Sequence, residues 1–163
     1  MDPCPGCHEF SIIEVIPVNW MTRQAIAEDK EFLYSLNRAA YEDVVRKQFG
    51  EWDESWQRQY FEKKWEPQKY EIVEQAGRRI GALSVLRTNE EVRIVEIQLL
   101  PEFQGRGIGS ELLQREFRYA DARAMPVRLQ VLRENRAKTL YERLGFRVCS
   151  ETDTHLLMER IKK

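Results

Sequence analysis

Cysteine is scarce in this chain: Cys4 and Cys7 stand near the start and Cys149 near the end. Three such residues cannot build a disulfide framework, and an odd count leaves one unpaired in any case. Long apolar runs are also missing. None approaches the roughly 20 residues that span a bilayer, and the stretch Phe10 to Val18 is broken by Glu14 and Pro17. Asp2, with no Lys or Arg before it, argues against a signal peptide. The expectation is a cytoplasmic protein that engages no membrane. Neither sign of charge dominates, since Lys+Arg 26 against Asp+Glu 27 leaves a formal net charge of -1. No global positive field is therefore on offer to nucleic acid or anionic lipid, and specificity must come from a local site. What the 163 residues do have is 42% hydrophobic and 33% charged content. That suits one globular domain with a single core.

Along the chain, residues 1–18 carry Pro-Cys and Pro-Gly turn signals and read as an extension ahead of a domain at 19–163. A strand is expected around Asn19 to Ala25. From Ala27 to Phe49 the apolar residues Phe32, Leu33, Leu36, Ala39, Ala40, Val44 and Val45 recur at helical spacing, with Asp29 at the positive end and Gly50 as the stop. Asp53 can cap a second helix marked by Trp56, Tyr60, Phe61 and Trp65, and Pro67 ends it. Tyr70 to Glu74, Ile80 to Leu86 and Val92 to Leu100 then read as an antiparallel meander. The helical stripe Ile108, Leu112, Leu113, Phe117 and Ala120 follows. A strand at Val127 to Leu132, a short helix at Arg136 to Leu144 closed by Gly145, and strands at Phe146 to Cys149 and His155 to Met158 complete the chain.

The most informative segment is Leu99-Leu100-Pro101-Glu102-Phe103-Gln104-Gly105-Arg106-Gly107-Ile108-Gly109-Ser110, where a strand feeds a glycine turn that opens an amphipathic helix. Glycines let backbone N–H groups converge, and the helix start adds its positive dipole end, so a pyrophosphate is held with few side-chain charges. A plain tight connection is the alternative use of such glycines. The dinucleotide fingerprint is excluded because Ser110 stands where its last Gly belongs. A Walker A loop is excluded for want of a Lys-Ser/Thr pair.

Gln-x-x-Gly-x-Gly in this order of elements resembles motif A of the GNAT superfamily of N-acetyltransferases. Downstream, Asn135-Arg136-Ala137-Lys138-Thr139-Leu140-Tyr141-Glu142-Arg143-Leu144-Gly145-Phe146 is similar to the family's N-x-x-A-x-x-L-Y-x-x-x-G-F segment. The resemblance runs from about Asn19 to the C-terminus and is densest from Glu96 to Val148. It implies an α/β fold of layered α+β type, with a mixed, mostly antiparallel central sheet flanked by helices and two central strands, ending at Leu100 and near Leu129, that splay apart. It also implies acetyl transfer from acetyl-CoA to a primary amine, with no metal. Backbone N–H groups of Leu99 and Leu100 would bind the pantetheine arm. The amides of Gln104, Gly105, Arg106, Gly107, Ile108 and Gly109, with Ser110, would take the pyrophosphate.

An ammonium acceptor must lose a proton before it attacks, and the departing sulfur must gain one. Tyr141 matches the family position whose hydroxyl protonates coenzyme A sulfur; its alternative is a core aromatic. Glu96 is the expected base acting through water, against a salt-bridged strand carboxylate. Relatives that place the base one strand later would have it where this chain has Gln130. Asn135 is expected to cap its helix and to sit beside the pantetheine arm. On the acceptor side the expected residues are Trp52, Glu54, Gln98 and His155, while Asp53 caps and Trp56 joins the core. The acceptor would be a small-molecule amine or a protein amino group, and a homodimer is among the assemblies open to such an enzyme. Two rival functions remain at this point: a non-catalytic acyl-CoA-binding or sensing domain, and a haem or zinc protein using Cys4-Pro5-Gly6-Cys7-His8. The second of these lacks a fourth zinc ligand in that segment.

Overall fold

The computed structural model describes residues 19–162; the extension with Cys4, Cys7 and His8 lies outside them. The period-two runs form seven strands and the period-3.6 runs four helices. In chain order these are β1 (Trp20–Gln24), α1 (Lys30–Phe49), α2 (Glu54–Lys64), β2 (Glu71–Gln75), β3 (Arg78–Arg87), β4 (Val92–Leu99), α3 (Ile108–Asp121), β5 (Val127–Leu132), α4 (Ala137–Arg143), β6 (Arg147–Glu151) and β7 (His155–Arg160). The strands make one sheet in the order β1-β2-β3-β4-β5-β7-β6. All neighbours are antiparallel except β4 and β5, which run parallel. The expected mixed α/β architecture is therefore present. No helix among the described residues is long and apolar enough to cross a membrane.

A separate core covers each face of the sheet. On one, Ile108, Leu112, Leu113, Phe117 and Ala120 of α3 pack against Val92, Ile94, Leu99, Val127 and Leu129. Glu116 lies in that same buried stripe, and its charge is met by Arg87 at 2.8 Å and Arg115 at 3.0 Å, which is what makes a buried carboxylate tolerable. On the other face, Leu33, Tyr34 and Leu36 of α1 and Phe61 of α2 pack on Ile72 and Ala82.

Local signals set the helix ends. Gly50 adopts φ 92, where L side chains are strained, and its N–H donates to Arg46 to close α1. Asp53 accepts the Trp56 N–H at 2.9 Å and starts α2. One expectation is overturned here. Trp56 does not join the core; it is 54% exposed and stacks on Tyr60 with centroids 5.0 Å apart. Phe61 is the residue of α2 that points inward, and at 100° per residue Trp56 lies about 140° round the helix from it. The indole that is buried is Trp52, in the loop before α2.

Candidate active site

The site begins where β4 and β5 part. Their pairing covers Val92 to Ile94 against Val127 to Leu129 and goes no further. At the same level β4 carries a bulge: Val85 of β3 pairs with Ile94 and Ser84 pairs with Glu96, so Val95 is an extra residue. A bulge bends its strand and adds local twist, which here carries β4 away from β5. It also changes the phase of the side chains. Ile94 faces the α3 core before the bulge, Ile97 and Leu99 face it after the bulge, and Glu96 is left on the opposite face.

Two adjoining cavities occupy the gap, of about 680 Å³ and about 470 Å³, and Tyr41, Asn135 and Tyr141 line both. The larger is bounded by Leu99, Gln104, Gly105, Gly107, Gly109, Ser110, Arg136 and Arg143 among others. Gly105 and Gly107 have φ of 72 and 85, which wind the chain into the first turn of α3. No side chain caps that helix. Among the described residues, no protein acceptor takes the N–H groups of Gly105 to Ser110. Six free donors at a helix start fit a polyanion such as a pyrophosphate.

Not every expected contributor faces this space. The Leu100 N–H donates to the Ile80 carbonyl at 2.8 Å, so it is engaged in the sheet. Strand alternation then turns the Leu99 N–H toward the gap, and Leu100 drops out of the donor set. The Ile108 side chain is buried in the core. The guanidinium of Arg106 lies over the Phe103 ring at 5.1 Å, outside the cavity lining. Asn135 accepts the Ala137 N–H on Oδ1 at 2.9 Å and fixes the first turn of α4.

Tyr141 is set on α4 with its ring edge-on to Phe146, centroids 5.8 Å apart. Burial pushes its phenol up to about 12, so it holds its proton at neutral pH. Glu96 lines the smaller cavity. Burial raises its carboxyl above the ordinary range, and the Lys64 charge partly opposes that rise. No hydrogen-bond donor or cation in the described residues contacts it within bonding distance. Its charge in turn is felt at two neighbouring phenols, Tyr41 and Tyr70, both raised first by burial and then by Glu96.

Trp52, His155 and Gln130 also line the smaller cavity, whereas Gln98 lines the larger one and donates to Asn37 Oδ1 at 3.1 Å. His155 Nδ1 is 2.7 Å from Thr154 Oγ1. Glu54 departs from expectation. It lines neither cavity, because its carboxylate is taken by the Tyr34 hydroxyl at 2.5 Å, Trp52 Nε1 at 2.9 Å and Arg38 at 3.0 Å. Its work is to lock the loop between α1 and α2. Sequence reasoning missed Tyr41, Lys64 and Tyr70. The available signal for Tyr41 was its spacing from Leu33 and Asn37, at i+8 and i+4 on one helix face.

Among the described residues no group of three or more His, Cys, Asp or Glu is placed to hold a metal ion. A family model described as acetyltransferase (GNAT) domain matches residues 66–148. No curated protein sequence matches the chain. Solved structures with a similar fold include the PaiA N-acetyltransferase of Thermoplasma acidophilum in complex with coenzyme A, 19% identical, TM-score 0.70, covering 88% of this chain and 99% of that one. The ribosomal-protein-S18-alanine N-acetyltransferase of Escherichia coli is 19% identical, with TM-score 0.62 and coverage of 87% and 93%. Arabidopsis thaliana Naa50, in complex with the bisubstrate analogue CoA-Ac-MVNAL, is 15% identical, with TM-score 0.62 and coverage of 89% and 100%.

Proposed function

Because the chain belongs to the GNAT acetyltransferase family, we propose that it takes its acetyl group from acetyl-CoA and delivers it to a primary amine. The acetyltransferase unit begins at Asn19, just ahead of β1, with residues 1–18 as an extension. The acceptor is a small-molecule amine or a protein amino group in the cytoplasm.

The free N–H groups from Gly105 to Ser110 suit the pyrophosphate, with Arg136 and Arg143 as cations at the same cavity. The Leu99 N–H, open to the gap, suits the pantetheine arm. When bound, acetyl-CoA supplies a thioester whose C–S bond is exchanged for an amide N–C bond, with net release of one proton. Glu96 accepts one proton from the acceptor ammonium, directly or through water, and frees the nitrogen lone pair. Tyr141 Oη, at the junction of the two cavities, would give its proton to the leaving thiolate as the C–S bond breaks and would be reprotonated by the second proton lost from nitrogen. Tyr41 and Asn135 border the same junction.

The observation that carries this reading is Glu96. A half-buried carboxylate without a partner destabilises a fold and has no use in a module that only binds acyl-CoA. The test combines calorimetry of coenzyme A with free-thiol release from acetyl-CoA over a panel of amines, aminoglycosides, polyamines, amino acids and peptides. Coenzyme binding with acceptor-dependent thiol release is expected. Binding with no release for any acceptor would favour the binding-only module, and no binding would sink the site.

A further inference from the structure

The smaller cavity is bordered by two charges of opposite sign that have no ion-pair partner among the described residues. Glu96 is one. The other is Lys64, in the last turn of α2, whose ammonium lies 4.3 Å from the centroid of the Tyr60 ring. Both line the cavity, yet they form no salt bridge with each other, and Lys64 has no ion-pair partner among the described residues. The third charge there is already met, since Arg93 is held by Glu91 at 2.5 Å in a chain that runs on through Arg128 to Glu159. Six aromatic side chains also line the wall: Tyr41, Trp52, Tyr60, Phe61, Tyr70 and Tyr141.

We propose that the acceptor is a small zwitterion, carrying one primary ammonium for Glu96, an apolar or aromatic body for these walls, and one carboxylate for Lys64. This rests on the acetyl-transfer reading above and narrows its substrate. A polyamine brings further positive charges to a cavity whose one unpaired anion is needed for the reacting nitrogen, and Lys64 repels them. A neutral-bodied amine leaves Lys64 unanswered. An amino-acid-like molecule answers both charges and leaves the cavity neutral. Flat side chains gain from aromatic walls through contact area and ring packing, and about 470 Å³ lies within the range of small-molecule sites.

Matched acceptors that differ by the carboxylate alone provide the test: tryptophan against tryptamine and phenylalanine against phenethylamine, with spermidine as the polycation. Thiol release from acetyl-CoA is expected to favour the carboxylate member of each pair in kcat/KM and to be poor with spermidine. Lys64→Glu should cut the tryptophan-to-tryptamine selectivity about tenfold, and Lys64→Met by less. Comparing the ratio between enzymes cancels the different basicities of the two amines. Lys64 is exposed at a helix end, and an unchanged melting temperature confirms that each variant is folded. Spermidine or tryptamine as the better wild-type acceptor, or a ratio unmoved in Lys64→Glu, overturns the proposal. So does a preference for peptides with an N-terminal amine and an Asp at the second position, which would make the acceptor a polypeptide. Calorimetry of tryptophan in the presence of coenzyme A reads the same site without turnover. Tryptophan binding that is lost in Lys64→Glu, with no turnover of any acceptor, supports the zwitterion site and sinks the transfer reading; no binding overturns the site itself.

Discussion

Gln104 donates its Nε2 hydrogen to the Leu99 carbonyl oxygen at 3.0 Å, fastening the glycine turn to the end of β4. That bond sets the distance between the free amides of the turn and the Leu99 N–H in the gap. A neutral hydrogen bond of this kind contributes about 0.5–1.5 kcal/mol net. Gln104→Ala should therefore weaken coenzyme A binding about 2- to 10-fold by calorimetry and lower the melting temperature by about 2–4 °C per kcal/mol lost. Unchanged affinity would show that the turn holds its own shape.

Gly109 offers a cleaner probe of the turn than Gly107. A Cβ on Gly109 would meet only Leu99 Cδ1, at 3.9 Å, an ordinary contact. Gly109→Val should keep stability within about 1 kcal/mol of the parent and lose coenzyme binding, because a branched side chain would stand over the amides. Gly107, at φ 85, carries a backbone penalty of about 1–2 kcal/mol for any L residue. Gly107→Val should lose both stability and binding, and the contrast separates blockage from strain.

Tyr141→Phe keeps the ring that packs on Phe146 and removes the hydroxyl. Turnover should fall by about 10²-fold, in the range of general acid catalysis, while coenzyme affinity changes little. With the phenol pushed up to about 12, the wild-type profile should show no loss of this group's proton below about pH 11. Parent-level turnover in the variant would move the acid role to Tyr41 or to water.

Glu96→Gln should act on activity and stability in opposite directions. The raised carboxyl of Glu96 means that its favourable contribution to folding is full below the unfolded pKa, near 4.3, and disappears as pH rises through the higher folded value. At neutral pH the ionised carboxylate is thus a liability that the amide removes. The variant should melt higher than the parent at pH 7 and lose that advantage near pH 4. Its turnover should drop at neutral pH and recover in part at high pH, where free amine is abundant. The parent's kcat/KM should fall with acid through the raised pKa, and the variant should lack that limb. Wild-type turnover across the range would make Glu96 structural.

Much of this was legible in the sequence because it is local. The stripe from Ile108 to Ala120 needs only the helical period, Asp53 and Gly50 announce their helix ends, and the strand Val127 to Leu132 reads directly from its residues. What was not legible depends on partners far along the chain. Trp56 was assigned to the core because helix phase is fixed by what α2 packs against, and that is Tyr34 and the sheet. Glu54 looked like a pocket acid because its three partners lie in α1 and the loop. Leu100 looked like a free donor until Ile80 was placed beside it. Lys64 and Tyr70 reach the cavity only through the fold.

The extra residue at Val95 has a consequence for how such a chain can change. Alternation in β4 is written in two phases, Val92 and Ile94 in one and Ile97 and Leu99 in the other, with Val95 as the spacer between them. Deleting that one codon would merge the phases without moving a single core side chain to the wrong face, and Glu96 would stay on its side. The straightened strand could then go on pairing with β5 past Ile94, sealing the seam with new ladder bonds. Val95, which itself borders the smaller cavity, thus holds the seam open by its place in the ladder.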